Sequence, residues 1–382
     1  MAKSFDVKSL ATMDIKDISK LFQKKKEAEP VVVSKAKKAS SKPVVSFDFG
    51  NESIKVVVGR AVKDEVKVTR IFQIPLRKGM IQDGVILDAN KLKSVIIPAL
   101  SQNKVSIKDV VCCINSTQVI TREIFIPVVT ADEIETVARY EIQQFLPIDL
   151  ANYLVQYIIL GEEVVHGDQK LKLNVIVFPE KMARSYYELF QEIGLKPYML
   201  DVSFNAVGKL AQFEQLKQQE ATVAYIDMGA QSVDVNVYSQ QNIQFTRMIK
   251  TGGSVIDKNL CDIPNMLPKS AVALKIERAD LTKAETTDMH DRIIKYSVDE
   301  MLVELDRVLQ FYNNKHADNS ISKLYIYGGT SHIKGMAQYM ENRFNLPVSL
   351  LETLDSVDVP PVLKKDLMLG DYTNALGAII RY

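Results

Sequence analysis

YIDMGAQSVDVNV, residues 225–237, is the stretch that decides the fold predicted for this chain. It predicts a strand ending at Asp227, a tight turn at Gly229 and a second strand with alternating apolar residues. The same pattern occurs near the start of the chain, where residues 46–58 read SFDFGNESIKVVV. The matching pairs are Asp48 and Asp227, Gly50 and Gly229, Ser53 and Ser232, Val56 and Val235, and Val58 and Val237. A self-match with this spacing indicates an internal duplication.

Each copy has the residue types that grip a phosphate group. A glycine lets the backbone approach a phosphate closely, and turn N–H groups and a serine hydroxyl can donate to its oxygens. An aspartate at the end of the strand can hold the waters of a magnesium ion. One such hairpin alone is more often an ordinary turn. Two matched copies facing each other predict a clamp for a nucleoside triphosphate with Mg²⁺.

Four segments resemble the motifs of the actin-like ATPase superfamily, in that superfamily's order. Residues 48–55 (DFGNESIK) resemble its first phosphate motif and residues 227–232 (DMGAQS) its second. Residues 327–331 (YGGTS) resemble its adenosine motif and residues 374–377 (NALG) its closing connection. The resemblance covers the chain from about residue 44 onward. It implies an α/β, actin-like (ribonuclease H-like) duplicated fold, with two domains around a nucleotide cleft that binds ATP and Mg²⁺.

A closer resemblance, to the PilM family of type IV pilus assembly, is carried by residues 79–86 (GMIQDGVI) and 140–147 (YEIQQFLP). It implies a cytoplasmic ATP-binding component, peripheral to the inner membrane. It also implies binding of the cytoplasmic N-terminal segment of a PilN-like inner-membrane protein. Two alternatives stay open. One is an FtsA-like cell-division tether, for which a C-terminal amphipathic helix would be expected after residue 377. The other is a small-molecule kinase of the same superfold.

The predicted site combines the turn chemistry with this resemblance. Lys55 is expected to reach a β- or γ-phosphate as a point charge. Gln231 is the candidate for orienting a hydrolytic water, with Glu52 and Asp234 as weaker ones, so at most a slow ATPase is expected. Asp48 and Asp227 are expected to hold Mg²⁺ through water. The predicted nucleotide-binding residues are Gly50, Asn51, Ser53, Lys55, Gly229, Ala230, Gln231, Ser232, Gly252, Gly253, Lys275, Gly328, Gly329, Thr330 and Ser331.

One departure from the resembled ATPases concerns the ribose. Those proteins carry Glu-x-x-Lys where this chain reads VALK at residues 272–275, and the Glu and Lys contact the sugar. Lys275 is kept, but Val272 stands at the place of the Glu. A valine cannot accept a hydrogen bond from a hydroxyl group. Ribose recognition is therefore expected to be weaker or differently made.

Charge and apolar patterning set the predicted domain organisation. Residues 1–43 contain eleven lysines against five acidic residues, a net charge of +6, so the rest of the +1 chain carries −5. A mildly acidic body argues against nucleic acid as a partner. The basic segment is predicted to be a flexible extension that docks on a partner or an anionic membrane surface, or a solvated tail. No apolar run reaches the eighteen or so residues of a membrane span.

The predicted partner site is an inserted subdomain (118–201), because its residues 131–145 form a helix with an apolar stripe and without catalytic residue types. Self-association is a further expectation. The predicted parts are a flexible N-terminal extension (1–43), the first part of the first domain (44–117), an inserted subdomain (118–201), segments that return to the first domain (202–220 and 351–382), and a second domain (221–350) with a helical subdomain (262–318).

Overall fold

The computed structural model describes residues 41–215, 222–239, 242–283, 287–364 and 367–381. These residues form two compact units. We call residues 118–183 the inserted unit, and the described residues among 41–117 and 184–381 the core unit. Most of the predicted N-terminal extension, residues 1–40, lies outside the described residues. None of the described helices is long and apolar enough to span a membrane.

The first sheet of the core unit has six strands. In spatial order they are β10 (Lys196–Val202), β6 (Asp109–Ile114), β1 (Val44–Phe49), β2 (Ser53–Val62), β3 (Glu65–Pro75) and β16 (Val357–Asp358). The first three strands in sequence form an antiparallel meander, and β6 runs parallel to β1. Every residue of β1 is buried, as expected for a central strand that is covered on both faces.

The second sheet repeats this arrangement with five strands. Their spatial order is β13 (Asn242–Ile249), β12 (Val233–Ser239), β11 (Val223–Met228), β14 (Lys323–Tyr327) and β15 (Val348–Leu350). Strands β11, β12 and β13 form an antiparallel meander, and β14 runs parallel to β11. The five strands of the second sheet therefore have the same order and relative directions as five strands of the first sheet. The predicted duplication and the α/β class are confirmed. A separate two-stranded ribbon joins β4 (Ile81–Gln82) and β5 (Val85–Ile86).

Helices cover the sheets of the core unit. They are α1 (Ala89–Gln102), α3 (Glu180–Glu192), α4 (Ser203–Gln215), α5 (Gly253–Cys261), α6 (Pro268–Arg278), α7 (Met289–Lys315), α8 (Met336–Phe344), α9 (Pro361–Lys364) and α10 (Thr373–Ile379). Asp288 caps α7, since its side chain accepts from the backbone N–H groups of His290 and Asp291. The C-terminal helix α10 returns to the first sheet, where the Ser46 hydroxyl donates to the Ala375 carbonyl at 2.6 Å.

The inserted unit is a three-stranded antiparallel sheet with one helix. Its strands lie in the order β7 (Ile120–Pro127), β9 (Asp168–Pro179) and β8 (Tyr153–Val165). Helix α2 (Ile134–Phe145) buries Ile134, Ala138 and Ile142 against them. The helix begins three residues later than its stripe predicted. The Glu133 carboxylate accepts from both the backbone N–H and the hydroxyl of Thr130, at 3.0 and 2.6 Å, which is half of a capping box.

The inserted unit also ends earlier than predicted. The insertion was expected to reach residue 201, but the compact unit stops at Ala183. Strand β10 lies beyond that point and pairs in parallel with β6 in the first sheet of the core unit. The boundary therefore moves from residue 201 to residue 183, because a strand belongs to the sheet whose hydrogen bonds it shares.

Candidate functional site

A cavity of about 660 Å³ in the core unit is lined by residues from both sheets. Its volume lies within the range of roughly 300–1,000 Å³ that is usual for small-molecule sites. The turns after β1, β11 and β14 all reach it. The predicted residues that line it are Asp48, Gly50, Asn51, Ser53, Lys55, Asp227, Gly229, Ala230, Gln231, Ser232, Gly253, Lys275, Gly328, Gly329 and Thr330. Positions as far apart as residues 48 and 330 thus share one cavity.

Two predicted residues, Gly252 and Ser331, are not among those that line the cavity. Gly252 lies against the second hairpin, and an added Cβ there would be 2.6 Å from the Gly229 carbonyl oxygen. Ser331 is buried, and its hydroxyl donates to the Gly328 carbonyl at 2.7 Å. Both residues therefore shape the turns that carry the site.

The two hairpin turns close with the same hydrogen bond. The Gly50 N–H donates to the Ser53 carbonyl at 3.1 Å, and the Gly229 N–H donates to the Ser232 carbonyl at 2.9 Å. A Cβ on either glycine would lie about 3 Å from that same carbonyl oxygen, closer than ordinary packing allows. An added Cβ would press on this backbone carbonyl in both turns, so glycine is favoured there before any ligand is considered.

Two aspartates, the buried Asp48 and the partly buried Asp227, line the cavity. Burial raises the pKa of Asp48, and burial together with the charge of Asp48 raises the pKa of Asp227 to about 6. The Lys55 ammonium opposes both shifts by stabilising the carboxylates. The Asn374 side chain donates to the Asp227 carboxylate at 3.0 Å. The pair therefore concentrates negative charge that Lys55 only partly offsets.

A third buried carboxyl, Asp234, lies opposite Asp227 in the second hairpin. Burial, and then the charge of Asp227, raise the pKa of Asp234 to about 8. Its side chain accepts a hydrogen bond from the Asn115 amide at 2.5 Å and from the Ser232 hydroxyl at 3.1 Å. Near pH 7 Asp234 is therefore largely protonated, and it cannot act as an efficient proton acceptor in that state.

The carboxylates fit a magnesium ion held through water. Within the described ranges, no group of three or more His, Cys, Asp or Glu side chains converges as a metal site. Side chains alone therefore do not build a cage for a cation. Mg²⁺ usually keeps several waters and is bound through one or two carboxylates and substrate phosphates. Asp48 and Asp227, whose charges Lys55 offsets only in part, have the chemistry for that role.

The wall formed by α6 is largely apolar. Val272 and Ile276 line the cavity, and both are exposed. Lys275 also lines it, but its ammonium pairs with the Asp257 carboxylate at 2.8 Å and donates to the Gly253 carbonyl at 3.2 Å. The valine that replaces the expected glutamate thus faces the cavity, and the neighbouring lysine already has protein partners.

The turn after β14 contains two glycines with different functions. Gly328 has φ = 87°, and a Cβ there would overlap the Asp227 carboxylate. Gly329 has no atom within 4 Å of the position of an added Cβ. The Thr330 hydroxyl donates to the Gly229 carbonyl at 2.8 Å and ties this turn to the second hairpin. Gly328 is therefore needed by the fold, whereas Gly329 leaves space open in the cavity.

Sequence reasoning missed several cavity residues. His332 and Asp371 form a hydrogen-bonded pair at 2.7 Å, and this bond raises the pKa of His332. Lys250 and Asn115 line the cavity as well. Asn115 follows β6, which runs parallel to β1, and the strand-end rule for parallel sheets could have identified it. The predicted catalytic residue, Gln231, is an exposed residue of the second turn.

Comparisons with known proteins agree with this geometry. The sequence profile of the family described as "Type IV pilus assembly protein PilM" matches residues 46–379. The chain is 22% identical over 349 residues to cell division protein FtsA of Streptococcus pneumoniae serotype 2 (strain D39 / NCTC 7466), covering 80% of this chain and 74% of FtsA.

Two solved structures carry the same fold. A PilM–PilN type IV pilus biogenesis complex superposes with a TM-score of 0.78 at 18% identity, covering 89% of this chain and 98% of that one. MreB 5 of Spiroplasma citri bound to AMPPNP superposes with a TM-score of 0.51 at 12% identity, covering 88% and 95%. These likenesses confirm the predicted actin-like duplicated fold. Because the family profile spans most of its length, the chain belongs to the PilM family of type IV pilus assembly proteins.

Proposed function

We propose that this chain binds ATP with Mg²⁺ in the cavity and acts as an actin-like component of the type IV pilus assembly platform. One observation carries the proposal. Two copies of the same hairpin, one from each sheet, present equivalent aspartates (Asp48 and Asp227) and equivalent glycine turns (Gly50 and Gly229) to a single cavity. A two-sided arrangement of this kind suits a chain of phosphates, which needs donors and a cation on opposite sides.

In this proposal, different residues of the cavity contact different parts of the nucleotide. Lys55 provides a positive charge for the phosphates, and Asp48 and Asp227 hold the waters of the magnesium ion. The open space beside Gly329 accommodates the base, because no side chain occupies it. Mg²⁺ offsets the charge of the phosphates and of the two carboxylates. MreB 5 of S. citri, which has the same fold, was solved with AMPPNP and with ADP.

Turnover is at most slow in this proposal. Hydrolysis requires a residue that orients water and an acceptor for its proton. Gln231 lines the cavity and can orient water through its amide. Asp234, the carboxyl of the same hairpin, has its pKa raised to about 8 and is mostly protonated near neutrality. In its protonated form Asp234 cannot accept a proton from water, so only its minor ionised fraction is available for hydrolysis near pH 7.

Calorimetry on the full chain tests the nucleotide proposal. Titration with ATP and Mg²⁺ should show saturable binding at one site, and removal of Mg²⁺ with a chelator should weaken it. Phosphate release should stay well below ~10 s⁻¹, the median turnover number of enzymes. Absence of binding would refute the proposal. Turnover at the rate of an ordinary enzyme would refute the slow-ATPase part alone.

The partner we propose is the cytoplasmic N-terminal segment of a PilN-like inner-membrane protein, bound on the inserted unit. A PilM–PilN complex has the same fold as this chain. Among the described residues, β7 and β8 of this three-stranded sheet each pair on one side only, and an extended peptide can add to such an edge. Helix α2 exposes half of Tyr140 and of Phe145 as candidate apolar anchors. Binding would hold the chain at the cytoplasmic face of the inner membrane, with the basic N-terminal extension as a second attachment.

A pair of tyrosine variants tests the partner site. Tyr140→Lys should weaken binding of the PilN-like peptide at least tenfold, because it places a charge at an apolar anchor. Tyr187→Lys is the matched control, since Tyr187 is equally exposed but lies in α3 of the core unit. Fluorescence anisotropy with a labelled peptide measures both. If both variants weaken peptide binding equally, or if neither weakens it, the peptide does not bind at α2.

A further inference from the structure

One part of the cavity is lined by apolar side chains that the core does not fully bury. Val272 and Ile276 of α6 line the cavity and are 39 and 78% exposed. Ala279, directly after that helix, and Ile333, after the turn that follows β14, line it as well and are half-buried. We call these four residues the apolar end. They contrast with the two hairpins, which bring charged side chains to the same cavity.

Backbone pairing holds the two segments of the apolar end together. Its first three members are four and three positions apart, so they lie on one face of α6. Just beyond this helix, the Leu281 N–H donates to the Lys334 carbonyl at 2.8 Å, and Asp280 forms a parallel bridge with Lys334. The end of α6 is therefore held beside the turn that carries Gly329 and Ile333. The helix face and this turn border the same part of the cavity.

The polar side chains that flank the apolar end are already engaged within the protein. Lys275 pairs with the Asp257 carboxylate at 2.8 Å. The Thr330 hydroxyl donates at 2.8 Å to a backbone carbonyl of the second hairpin, and His332 is hydrogen-bonded to Asp371 at 2.7 Å. Since these groups are committed to partners in the protein, the surface that meets a ligand here is mainly hydrocarbon.

Three backbone donors at the apolar end are paired as well. The Ser331 N–H donates to the Gly328 carbonyl at 2.9 Å, and the Ile333 N–H donates to the Thr330 carbonyl at 3.3 Å. The Ala279 N–H is bonded at 2.9 Å to a carbonyl of α6. These donors hold the turn and the end of the helix in shape. They are therefore not available to distinguish one base from another.

We propose that the apolar end holds the base and sugar of the nucleotide by hydrocarbon contact, so that the site selects the triphosphate and binds ATP, dATP and GTP alike. This specificity rests on the proposed function, because phosphates at the hairpins direct the nucleoside towards this end. Apolar contact is non-directional and follows the area that is buried. It therefore does not read the hydrogen-bonding edge of a base or a sugar hydroxyl.

Calorimetry on the full chain with Mg²⁺ compares four ligands. ATP, dATP and GTP should bind with dissociation constants within ~tenfold of one another, because an apolar pocket discriminates weakly between ligands that differ in polar groups. Inorganic tripolyphosphate should bind more weakly than all three, since it lacks the nucleoside and its apolar area. A site built to hydrogen-bond the sugar or base would separate the nucleotides by ~10⁴-fold.

A pair of apolar truncations tests the contact itself. Ile276→Ala should weaken ATP, dATP and GTP by the same factor, ~3–10-fold, because each loses the same hydrocarbon contact. Its affinity for tripolyphosphate should stay that of the wild type. Leu267→Ala is the matched control, since Leu267 is 67% exposed directly before α6 and is not among the residues that line the cavity. The control should bind all four ligands like wild type, and thermal melting should show that both variants are folded.

Three results would overturn this specificity. One is dATP or GTP binding more than ~100-fold more weakly than ATP, which would mean that hydrogen bonds read the nucleoside. Another is an equal effect of Ile276→Ala and Leu267→Ala on the nucleotides, which would place the nucleoside away from the apolar end. The third is tripolyphosphate binding as tightly as ATP, which would leave the phosphate site standing without a nucleoside contact. Absence of binding by all four ligands would instead refute the proposed function, and this specificity with it.

Discussion

The first hairpin, formed by β1 and β2, and the second, formed by β11 and β12, have the same backbone and different charges. Both turns close with a glycine N–H bonded to a serine carbonyl. Strand pairing sets Asp48 opposite Lys55 in the first hairpin and Asp227 opposite Asp234 in the second. The matched position therefore carries a cation in one copy and a buried acid in the other.

This difference distinguishes the residues that both turns share from the residues that give each side of the cavity its charge. The glycines and the aspartates at the strand ends are shared, because both turns need the same backbone and both face the cavity. Lys55 makes the first hairpin the electropositive side of the clamp. Asp234, with its pKa raised to about 8, makes the second hairpin nearly neutral there around pH 7. Duplication built the cavity, and divergence at one position made its two sides chemically unequal.

The largest expected effect comes from filling the space that the two hairpins share. Gly329→Val should reduce affinity for MgATP by at least ~100-fold, because the valine occupies the proposed base site. The melting temperature should not change, since no atom lies within 4 Å of the added Cβ. Gly328→Ala is the contrasting variant, and it should destabilise the protein because Gly328 has φ = 87°. Normal ATP binding by Gly329→Val would place the base outside this turn.

The next effect concerns the cation that only the first hairpin has. Lys55→Met should weaken MgATP binding by ~10–100-fold, since a charge-assisted hydrogen bond contributes ~1.5–3 kcal/mol. Lys258→Met, at an exposed position of α5, is the control and should bind like wild type. Calorimetry measures both. If the two variants bind equally, Lys55 is an ordinary strand lysine and the hairpins do not differ in the way proposed.

A smaller effect is expected from the aspartates that the hairpins have in common. Asp48→Ala and Asp227→Ala should each lower affinity for ATP about tenfold in the presence of Mg²⁺ and much less in its absence, because water-mediated contacts to the ion are lost. Titrations with and without a chelator measure the difference. Unchanged affinity in both variants would refute the two-sided clamp, and a loss in one alone would assign the ion to a single hairpin.

The smallest effect is the pH dependence of stability at Asp234. Its pKa rises from an ordinary value of 3.8 to about 8 in the folded chain. The folded state therefore binds a proton that the unfolded state has released, and this contribution to stability falls as pH rises from about 4 to about 8. Asp234→Asn removes the titration and keeps an amide oxygen for the Asn115 donor.

Melting curves at pH 5 and pH 8 measure that effect. The difference in melting temperature, variant minus wild type, should be larger at pH 8 than at pH 5, because the wild type loses stability over that interval and the variant does not. Gln231→Glu, at an exposed position of the same turn, serves as a control for added charge. A difference that is the same at both pH values would mean that Asp234 titrates normally.

The sequence by itself determined the duplicated hairpins, and with them the fold and the two turns that reach the cavity. Asp-x-Gly turns between apolar strands are local features, because a glycine turn and alternating side chains depend on residues only a few positions apart. The turn after β14 was predicted for the same reason. Fifteen of the seventeen residues predicted to hold nucleotide or Mg²⁺ line the cavity; of the exceptions, Ser331 lies in the turn after β14, and Gly252 lies at the start of α5 against the second hairpin.

Only the tertiary structure decided the contacts between distant segments. Asn115 donates to Asp234 across 119 positions of sequence, and His332 meets Asp371 across 39. The inserted unit ends at Ala183, and β10, which follows it in sequence, pairs with β6 in the first sheet of the core unit. The raised pKa of Asp234 likewise results from burial that no neighbouring residue signals. Short motifs determine the local turn geometry. The burial of a side chain and the pairing of strands depend instead on which distant segments the folded chain brings together.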